Sequence, residues 1–213
     1  MTQEVGLFEA IYTQRALRYI SADPIPDALV RKVLDAGIRA PNGGNQQRWR
    51  FIVIKDSDTK RWIQERYRDT VRPPHAPPRN EAEARTMARN DAAAEHLAAH
   101  LHEVPVLILC CLEHDGSPSD IHRGASIYPA VQNMLLAARG LGLASVLTTR
   151  PRRGFEKEIK EKLDPPRLSR GRSSLRSHQP PARGGGHVRR DVGSALARSV
   201  NGNEWRRRDP GGF

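Results

Sequence analysis

The sequence predicts an α+β domain built on a mixed sheet. Two apolar runs, at residues 51–54 and more strongly at residues 104–112, predict β-strands. Between and around them, apolar residues recur at the spacing of amphipathic helices. Strands and helices therefore alternate without a regular βαβ repeat, which favours a mixed sheet over a parallel, doubly wound one.

The first part of the chain predicts two helices that precede the first strand. Phe8, Ile11 and Tyr12 predict a first helix that ends near residues 15–18. A proline-containing turn follows, and Pro26 is well placed to open the next helix. That second helix carries an apolar stripe and is closed by Pro41. The stripe consists of Leu29, Val30, Val33, Leu34 and Ile38.

Residues 60–103 are predicted to form an exposed insertion between the two strands. The segment is polar, rich in arginine and interrupted by prolines, and residues 91–102 predict one of its helices. The run at 104–112 is apolar without alternation, which predicts a strand buried on both faces. Cys110 and Cys111 then point to opposite faces, as two small buried side chains and not as a disulfide or a metal-binding pair.

The remainder of the domain predicts two helices and a third strand. Residues 127–138 show helical apolar spacing and predict a core-facing helix that ends at Gly140. Pro129 lies inside this pattern, so the helix either kinks there or begins close to it. Residues 144–149 predict the further strand, and residues 155–163 predict a short charged helix.

The net charge of +11 is concentrated near the C-terminal end. Residues 167–213 hold 11 of the 35 Lys and Arg residues and 3 of the 24 Asp and Glu residues, which is a net charge of +8. The first 166 residues carry only +3, so nucleic-acid binding by the domain is not expected. The sequence has no signal-peptide pattern and no run of about 20 apolar residues. We therefore expect a cytoplasmic protein without a membrane partner.

The composition divides the chain into a domain at residues 1–166 and a basic tail of low order at residues 167–213. The tail has no lysine, eleven arginines and eight of the 17 glycines, and its apolar residues follow no helical or strand period. A second interpretation remains open, because an out-of-frame reading of a GC-rich gene gives this composition. A frameshift between Leu163 and Leu168 would explain the change, and translation of the other two frames tests it.

Residues 40–51 form the loop of the chain that is best suited to a ligand. They read Ala-Pro-Asn-Gly-Gly-Asn-Gln-Gln-Arg-Trp-Arg-Phe. Two glycines allow backbone conformations that a Cβ disfavours, and the amide side chains offer both donors and acceptors. Such a loop suits a flat polar ligand, although an ordinary helix-to-strand connection is the alternative. Trp49 is expected to anchor the core and not to stack on a ligand.

This loop resembles the Ala-Pro-Ser-Gly-Gly-Asn-x-Gln-Pro-Trp-x-Phe signature of the nitroreductase family of FMN-dependent oxidoreductases. Three further segments resemble family motifs in the family's order: Thr-Gln-Arg-Ala-Leu-Arg at 13–18, Ser-Ile-Tyr-Pro-Ala-Val-Gln-Asn-Met-Leu-Leu at 126–136, and Leu-Gly-Leu-Ala-Ser-Val-Leu-Thr-Thr at 141–149. The resemblance covers about residues 5–166. It implies a nitroreductase-like fold with a mainly antiparallel mixed sheet, and a homodimer.

The resemblance implies an FMN site built from three segments. Arg15, with Arg18 as a second cation, would bind the phosphate through its planar guanidinium. Gln14 and Ala16 stand where the family usually has arginine and serine. The amide loop would contact the flavin, and residues 147–149 would lie beside the ring, where a backbone N–H or a threonine hydroxyl can bond the N5 region. The expected cofactor-binding residues are Gln14, Arg15, Ala16, Arg18, Pro41, Asn42, Gly43, Gly44, Asn45, Gln47, Leu147, Thr148 and Thr149.

The activity implied by the resemblance is transfer of reducing equivalents from NAD(P)H, through FMN, to a nitro, quinone or similar electron-poor small molecule. The flavin carries the chemistry, so no catalytic side chain is expected. Reductive dehalogenation and oxidative flavin fragmentation remain alternatives within the family. In the family the C-terminal segment wraps the partner subunit and supplies a basic residue to the FMN phosphate. A genuine tail at 167–213 would therefore weaken both the dimer and FMN binding.

Other classes of function have weaker support in the sequence. The Gly-Leu-Gly-Leu-Ala-Ser segment at 140–145 mimics a dinucleotide fingerprint, but it follows a helix and precedes a predicted strand, the reverse of the required order. His96 and His100 share a helix face without the glutamate of a zinc-protease motif, so no metal is expected. A nucleic-acid-binding protein that uses the basic tail, and a non-catalytic remnant of the fold, remain alternatives.

Overall fold

The computed structural model describes residues 5–70, 76–113, 121–163, 197–199 and 204–205. In chain order the elements are α1 (Leu7–Thr13), α2 (Asp27–Gly37), β1 (Trp49–Ile54), α3 (Ser57–Asp69), α4 (Glu81–His100), β2 (Leu107–Leu112), α5 (Ile121–Gly140), α6 (Pro151–Gly154), α7 (Glu156–Leu163), β3 (Ala197–Ser199) and β4 (Glu204–Trp205). Short 3₁₀ turns lie at Gly43–Asn45 and Leu101–Glu103. None of the described helices combines the length and the apolar character that a membrane span requires.

The described strands form one mixed sheet in the order β2-β1-β3-β4. β1 pairs antiparallel with β2, with Phe51 opposite Cys110, and parallel with β3, with Phe51 opposite Ala197. β4 pairs antiparallel with β3. The predicted α+β class with a mixed, mainly antiparallel sheet flanked by helices is therefore confirmed.

β3 and β4 belong to the segment that we predicted as a basic tail. The tail composition did not predict these short pairings, because the residues involved show no strand period. The rest of residues 164–213 lies outside the described part of the chain. The division after residue 166 and the frameshift hypothesis both remain predictions.

The core consists of two apolar clusters, one on each face of β1. Ile52 and Ile54 face a cluster with α3, α4 and α7, and Trp49 and Phe51 face a cluster with α2 and α5. Trp49 is 1% exposed, which confirms its predicted role as a core anchor. The buried members of the first cluster are Ile52, Ile54, Ile63, Tyr67, Leu97, Ala98, Leu101, Phe155 and Ile159. Those of the second are Val33, Ala40, Trp49, Phe51, Ala130, Met134 and Ala138.

β2 is less buried than its sequence predicts. Alternate side chains do face the two clusters, but every position of the strand is only half-buried. The reason is its place at one end of the described sheet, where β1 is its only strand neighbour. Cys110 and Cys111 are free thiols on opposite faces, as predicted. Burial raises the pKa of Cys110 to about 12 and that of Cys111 to about 11, so both thiols stay protonated and unreactive at neutral pH.

Several predicted boundaries change in the structure. α1 ends at Thr13, before the predicted 15–18. α4 begins at Glu81, ten residues before the predicted start at 91. α5 begins at Ile121 and continues through Pro129, so the helix does not begin at that proline.

The strand predicted at 144–149 is wrong. This segment makes no ladder pairing within the described sheet, although its composition suits a strand. Its recorded backbone hydrogen bonds run from the Leu17 N–H to the Ser145 carbonyl, 3.2 Å, and from the Arg152 N–H to the Thr149 carbonyl, 3.2 Å. The segment is therefore an extended connection from α5 to α6 that lies against the N-terminal segment.

Candidate functional site

The amide loop has a strained backbone that one side chain holds together. Gly44, Asn45 and Gln47 all have positive φ, at 58°, 53° and 52°. For residues with a Cβ this region is uncommon and costs about 1–3 kcal/mol each. The Oδ1 atom of Asn42 accepts a hydrogen bond from the Gln47 N–H at 2.8 Å, and the Asn42 carbonyl accepts one from the Asn45 N–H at 3.1 Å. Asn42 thus closes the loop on both sides of its strained residues.

The loop is fixed to the N-terminal half of α5. The Gly43 N–H donates a hydrogen bond to Ser126 Oγ at 3.3 Å, and a Cβ at position 43 would lie 3.3 Å from the same oxygen. A side chain at position 43 would therefore require Ser126 Oγ to move by a few tenths of an ångström. Gln47 Nε2 donates to Asn45 Oδ1 at 3.0 Å, so the two amides that sequence analysis singled out lie side by side. Residues 43–46 are exposed, which leaves this edge of the loop open to a ligand.

The predicted phosphate-binding segment follows α1 without regular structure. Arg15 is exposed and Arg18 half-buried, and each guanidinium donates to a carbonyl of its own segment: Arg15 Nη1 to Gln14 O at 2.7 Å, and Arg18 Nη1 to Ala16 O at 3.4 Å. Across the described residues, neither arginine pairs with a carboxylate. Two such arginines, three residues apart in the sequence, are suited to an anionic ligand.

The third predicted segment lies beside the second. The Leu17–Ser145 hydrogen bond joins them, with Arg15 two residues before Leu17 and Thr148 three residues after Ser145. Leu147 is exposed, and Thr148 and Thr149 are half-buried. The structure therefore places the predicted phosphate-binding and ring-binding segments next to one another.

The amide loop is anchored at the other end of α5. Its contact is Ser126, whereas α1 is held at the C-terminal end of α5, where Arg139 Nε donates to Thr13 Oγ1 at 2.9 Å and the Val5 N–H donates to the Gly140 carbonyl at 3.0 Å. An α-helix advances about 20 Å between positions 126 and 139. Within one chain, the anchors of the amide loop and of the N-terminal segment are thus about 20 Å apart.

A buried polar group that the sequence pattern did not indicate lies behind Thr148. The Tyr67 hydroxyl and Thr148 Oγ1 are 2.9 Å apart, and the guanidinium of Arg150 lies over the Tyr67 ring, 4.8 Å from its centroid. Glu95 pairs with Arg150 at 3.4 Å. Lys60, Ile63 and Tyr67 are buried and recur at helical spacing in α3. This spacing is the signal by which the sequence could have indicated a buried helix face, although the polar composition of the whole segment predicts exposure.

Histidines of α4 form a ring stack with Tyr19. The rings of Tyr19 and His96, and those of His96 and His100, stack with centroids 4.2 Å apart in each pair. In the ranges that the structure describes, no three His, Cys, Asp or Glu residues come together as metal ligands. The stack attaches the segment after Arg18 to α4.

A family model described as the nitroreductase family matches residues 11–168, which are 158 of the 213 residues. The chain belongs to the nitroreductase family. A putative NADH dehydrogenase/NAD(P)H nitroreductase from Archaeoglobus fulgidus is 31% identical over 159 residues, 73% of this nitroreductase-family chain and 75% of that protein. A 56-residue segment is 41% identical to an NADH dehydrogenase of Thermus thermophilus, of which it spans 27%, and covers 26% of this chain.

Solved structures have the same fold. A putative nitroreductase from Desulfovibrio desulfuricans, crystallised in complex with FMN, superposes with a TM-score of 0.53 and 26% identity over 76% of this chain and 77% of that one. The family resemblance and the fold class predicted from the sequence are therefore both confirmed.

Proposed function

We propose that this nitroreductase-family protein is an FMN-dependent oxidoreductase that passes reducing equivalents from NAD(P)H to a nitro compound, a quinone or a similar electron-poor small molecule. The observation that carries the proposal is the Leu17–Ser145 hydrogen bond, which holds the segment of Arg15 beside that of Thr148 in a chain of this family. The cationic segment suits the phosphate end of FMN, and the adjacent hydroxyl-bearing segment suits its planar ring.

The charge and exposure of Arg15 and Arg18 fit the phosphate end of FMN. Both guanidiniums lack a carboxylate partner in the described part of the chain, and Arg15 is exposed. A guanidinium presents a planar fork of donors that matches phosphate oxygens. Arg15 and Arg18 would hold this end, while Gln14 and Ala16 define the backbone of the same turn.

The amide loop fits the ring of FMN by its chemistry and its strain. The isoalloxazine edge alternates donors and acceptors, and the adjacent amides of Asn45 and Gln47 offer both. Strained φ values at neighbouring positions are typical of ligand-contacting loops, where the fixed geometry presents backbone groups to the ligand. Pro41, Asn42, Gly43 and Gly44 would shape this surface.

The separation of these segments along α5 supports a site made by two chains. One chain would supply Arg15 and Thr148, and the amide loop of the other would cover the ring. An exposed apolar stripe on α1 supports a homodimer: Leu7, Phe8, Ile11 and Tyr12 are between 44% and 69% exposed. Such a stripe is unusual on a monomer surface and typical of an interface.

Bound FMN would supply the redox chemistry that links the nicotinamide donor to the electron acceptor. The side chains of the protein bind and orient the cofactor. Arg15 and Arg18 would hold the phosphate, the amide loop would hold the ring edge, and Thr148 with its neighbours Leu147 and Thr149 would line the other side. No side chain needs to act as a nucleophile or a general base.

An anaerobic absorption spectrum of the purified full chain, with FMN added and the excess removed, tests the proposal. We expect retained flavin bands that bleach with NADH or NADPH and return when p-benzoquinone or a nitroaromatic compound is added. The same protein with riboflavin in place of FMN is the control for the phosphate contacts. A colourless protein that retains no FMN would overturn the proposal.

A further inference from the structure

The Tyr67 hydroxyl is buried and has one recorded partner among the described residues. Tyr67 is 3% exposed, and its hydroxyl oxygen lies 2.9 Å from Thr148 Oγ1. A buried phenol retains a hydrogen-bond partner, because an unmade bond leaves the full desolvation cost uncompensated. Tyr67 and Thr148 are distant in sequence, so this bond ties the end of α3 to the segment proposed to line the flavin.

Arg150 holds both members of this pair. Its backbone N–H donates to Thr148 Oγ1 at 3.4 Å, and its Nη1 donates to the Tyr67 carbonyl at 3.4 Å. The guanidinium lies over the Tyr67 ring and also pairs with Glu95 of α4. Arg150 is only 9% exposed, so its contacts with Tyr67 and Thr148 are sheltered from water, whereas the Glu95 side chain is 67% exposed. Tyr67 therefore has little freedom to turn its hydroxyl away from Thr148.

These contacts limit what the Thr148 hydroxyl can do. A threonine hydroxyl has two lone pairs and one proton. When Tyr67 donates, its O–H and the Arg150 N–H together use both lone pairs of Thr148 Oγ1. The Thr148 hydroxyl then has no lone pair left to accept another hydrogen bond. Toward any third partner it can only donate its own proton.

We propose that Tyr67 is a positioning residue that fixes Thr148 as a hydrogen-bond donor toward bound FMN. This inference rests on the proposed function. N5 of oxidised flavin is an acceptor, whereas reduced flavin carries a proton there, so a hydroxyl held as a donor favours the oxidised cofactor. Tyr67 thereby lowers the reduction potential of the bound flavin without touching it, and couples that potential to the packing of α3 and α4.

The variant Tyr67→Phe removes the phenol hydroxyl and keeps the buried ring. We expect the ratio of the dissociation constants for reduced and oxidised FMN to change about tenfold in favour of the reduced form, which raises the two-electron midpoint potential by about 30 mV. Thr70→Val is the matched control. It deletes another hydroxyl at the end of α3, one that donates to the Arg66 carbonyl at 2.9 Å. The control should leave the potential unchanged.

A double-mutant cycle shows whether Tyr67 acts through Thr148. Thr148→Val should raise the potential by itself, and Tyr67→Phe in that background should add nothing. A purely structural role for Tyr67 would weaken both forms of FMN equally and leave the potential where it was. That result, or a shift that persists in the Thr148→Val background, would overturn the inference.

A substitution that strengthens the phenol as a donor gives an independent test with a folded protein. Replacing Tyr67 by 3-fluorotyrosine makes its hydroxyl more acidic and should lower the midpoint potential. An unchanged or raised potential would contradict the inference and leave the proposed function intact. A wild-type chain that binds no FMN would overturn both.

Discussion

Asn42 Oδ1 accepts a hydrogen bond from the Gln47 N–H at 2.8 Å, across a loop in which Gly44, Asn45 and Gln47 have positive φ. Asn42 was predicted to contact the flavin. In the structure its side chain also stabilises the conformation of the loop. Its amide oxygen holds the loop in the conformation that presents the amides of Asn45 and Gln47 together.

Asn42→Ala should lower the affinity for FMN about tenfold, because the loop loses the hydrogen bond that holds its strained backbone. Asn42→Asp retains the acceptor and should stay close to wild type. The measurement is a titration of FMN followed by quenching of its fluorescence. Equal affinities for Ala and Asp variants would contradict a role for the acceptor.

Arg15→Gln should weaken FMN by about tenfold to a hundredfold, the range expected for a charge-assisted hydrogen bond to phosphate. Riboflavin lacks the phosphate, so its affinity should change less than twofold. Arg89→Gln, on the exposed side of α4, is the control for loss of a surface charge. A parallel loss of FMN and riboflavin affinity would show that Arg15 supports the fold and does not bind the phosphate.

Gly37→Ala should destabilise the protein by about 1–3 kcal/mol, although the same change inside a helix is ordinarily stabilising. A Cβ at position 37 would lie 2.8 Å from Met134 Cγ, where α2 packs on α5. Gly6→Ala is the control, since a Cβ there meets nothing within 4 Å. Urea unfolding of both variants checks the prediction. A Gly37→Ala protein as stable as wild type would mean that Met134 moves aside without cost.

Asp56 should make the free energy of unfolding decrease as the pH becomes acidic. Its carboxylate accepts the Thr59 N–H at 2.7 Å as the N-cap of α3, and the hydrogen bonds from Thr59 hold the pKa of Asp56 below its ordinary 3.8. The unfolded chain thus takes up the proton first as pH falls. The stabilisation is complete above pH 3.8 and is lost as the pH falls through the lowered folded-state pKa.

Asp56→Asn keeps an N-cap acceptor without the charge, and Asp56→Ala removes the cap at every pH. Thermal unfolding between pH 7 and pH 3 should show the advantage of wild type over Asp56→Asn shrinking toward the acidic end. At pH 7, Asp56→Ala should be the least stable of the three. A difference between wild type and Asp56→Asn that is constant across the range would contradict the assignment.

The local sequence pattern was sufficient to predict the structure of a segment where that segment's own residues determine it. The helical stripe that ends before Pro41, the strand predicted at residues 51–54 and the buried position of Trp49 all follow from spacing and apolar character, although the observed strand starts two residues earlier, at Trp49. The local sequence pattern gave a wrong prediction at residues 144–149. Their composition suits a strand, but strand formation depends on a neighbour with free backbone groups, and the backbone partners recorded for this segment, Leu17 and Arg152, do not lie in strands.

By itself, the sequence determined the α+β class, the order of the main elements and the motifs of the nitroreductase family, because each depends on residues close together along the chain. Only the tertiary structure decided that the segment of Arg15 lies beside that of Thr148, that the amide loop is anchored about 20 Å away along α5, and that Tyr67 stands behind Thr148. These relationships join residues far apart in sequence, and they arise from the packing of α3 and α5, which no local pattern records.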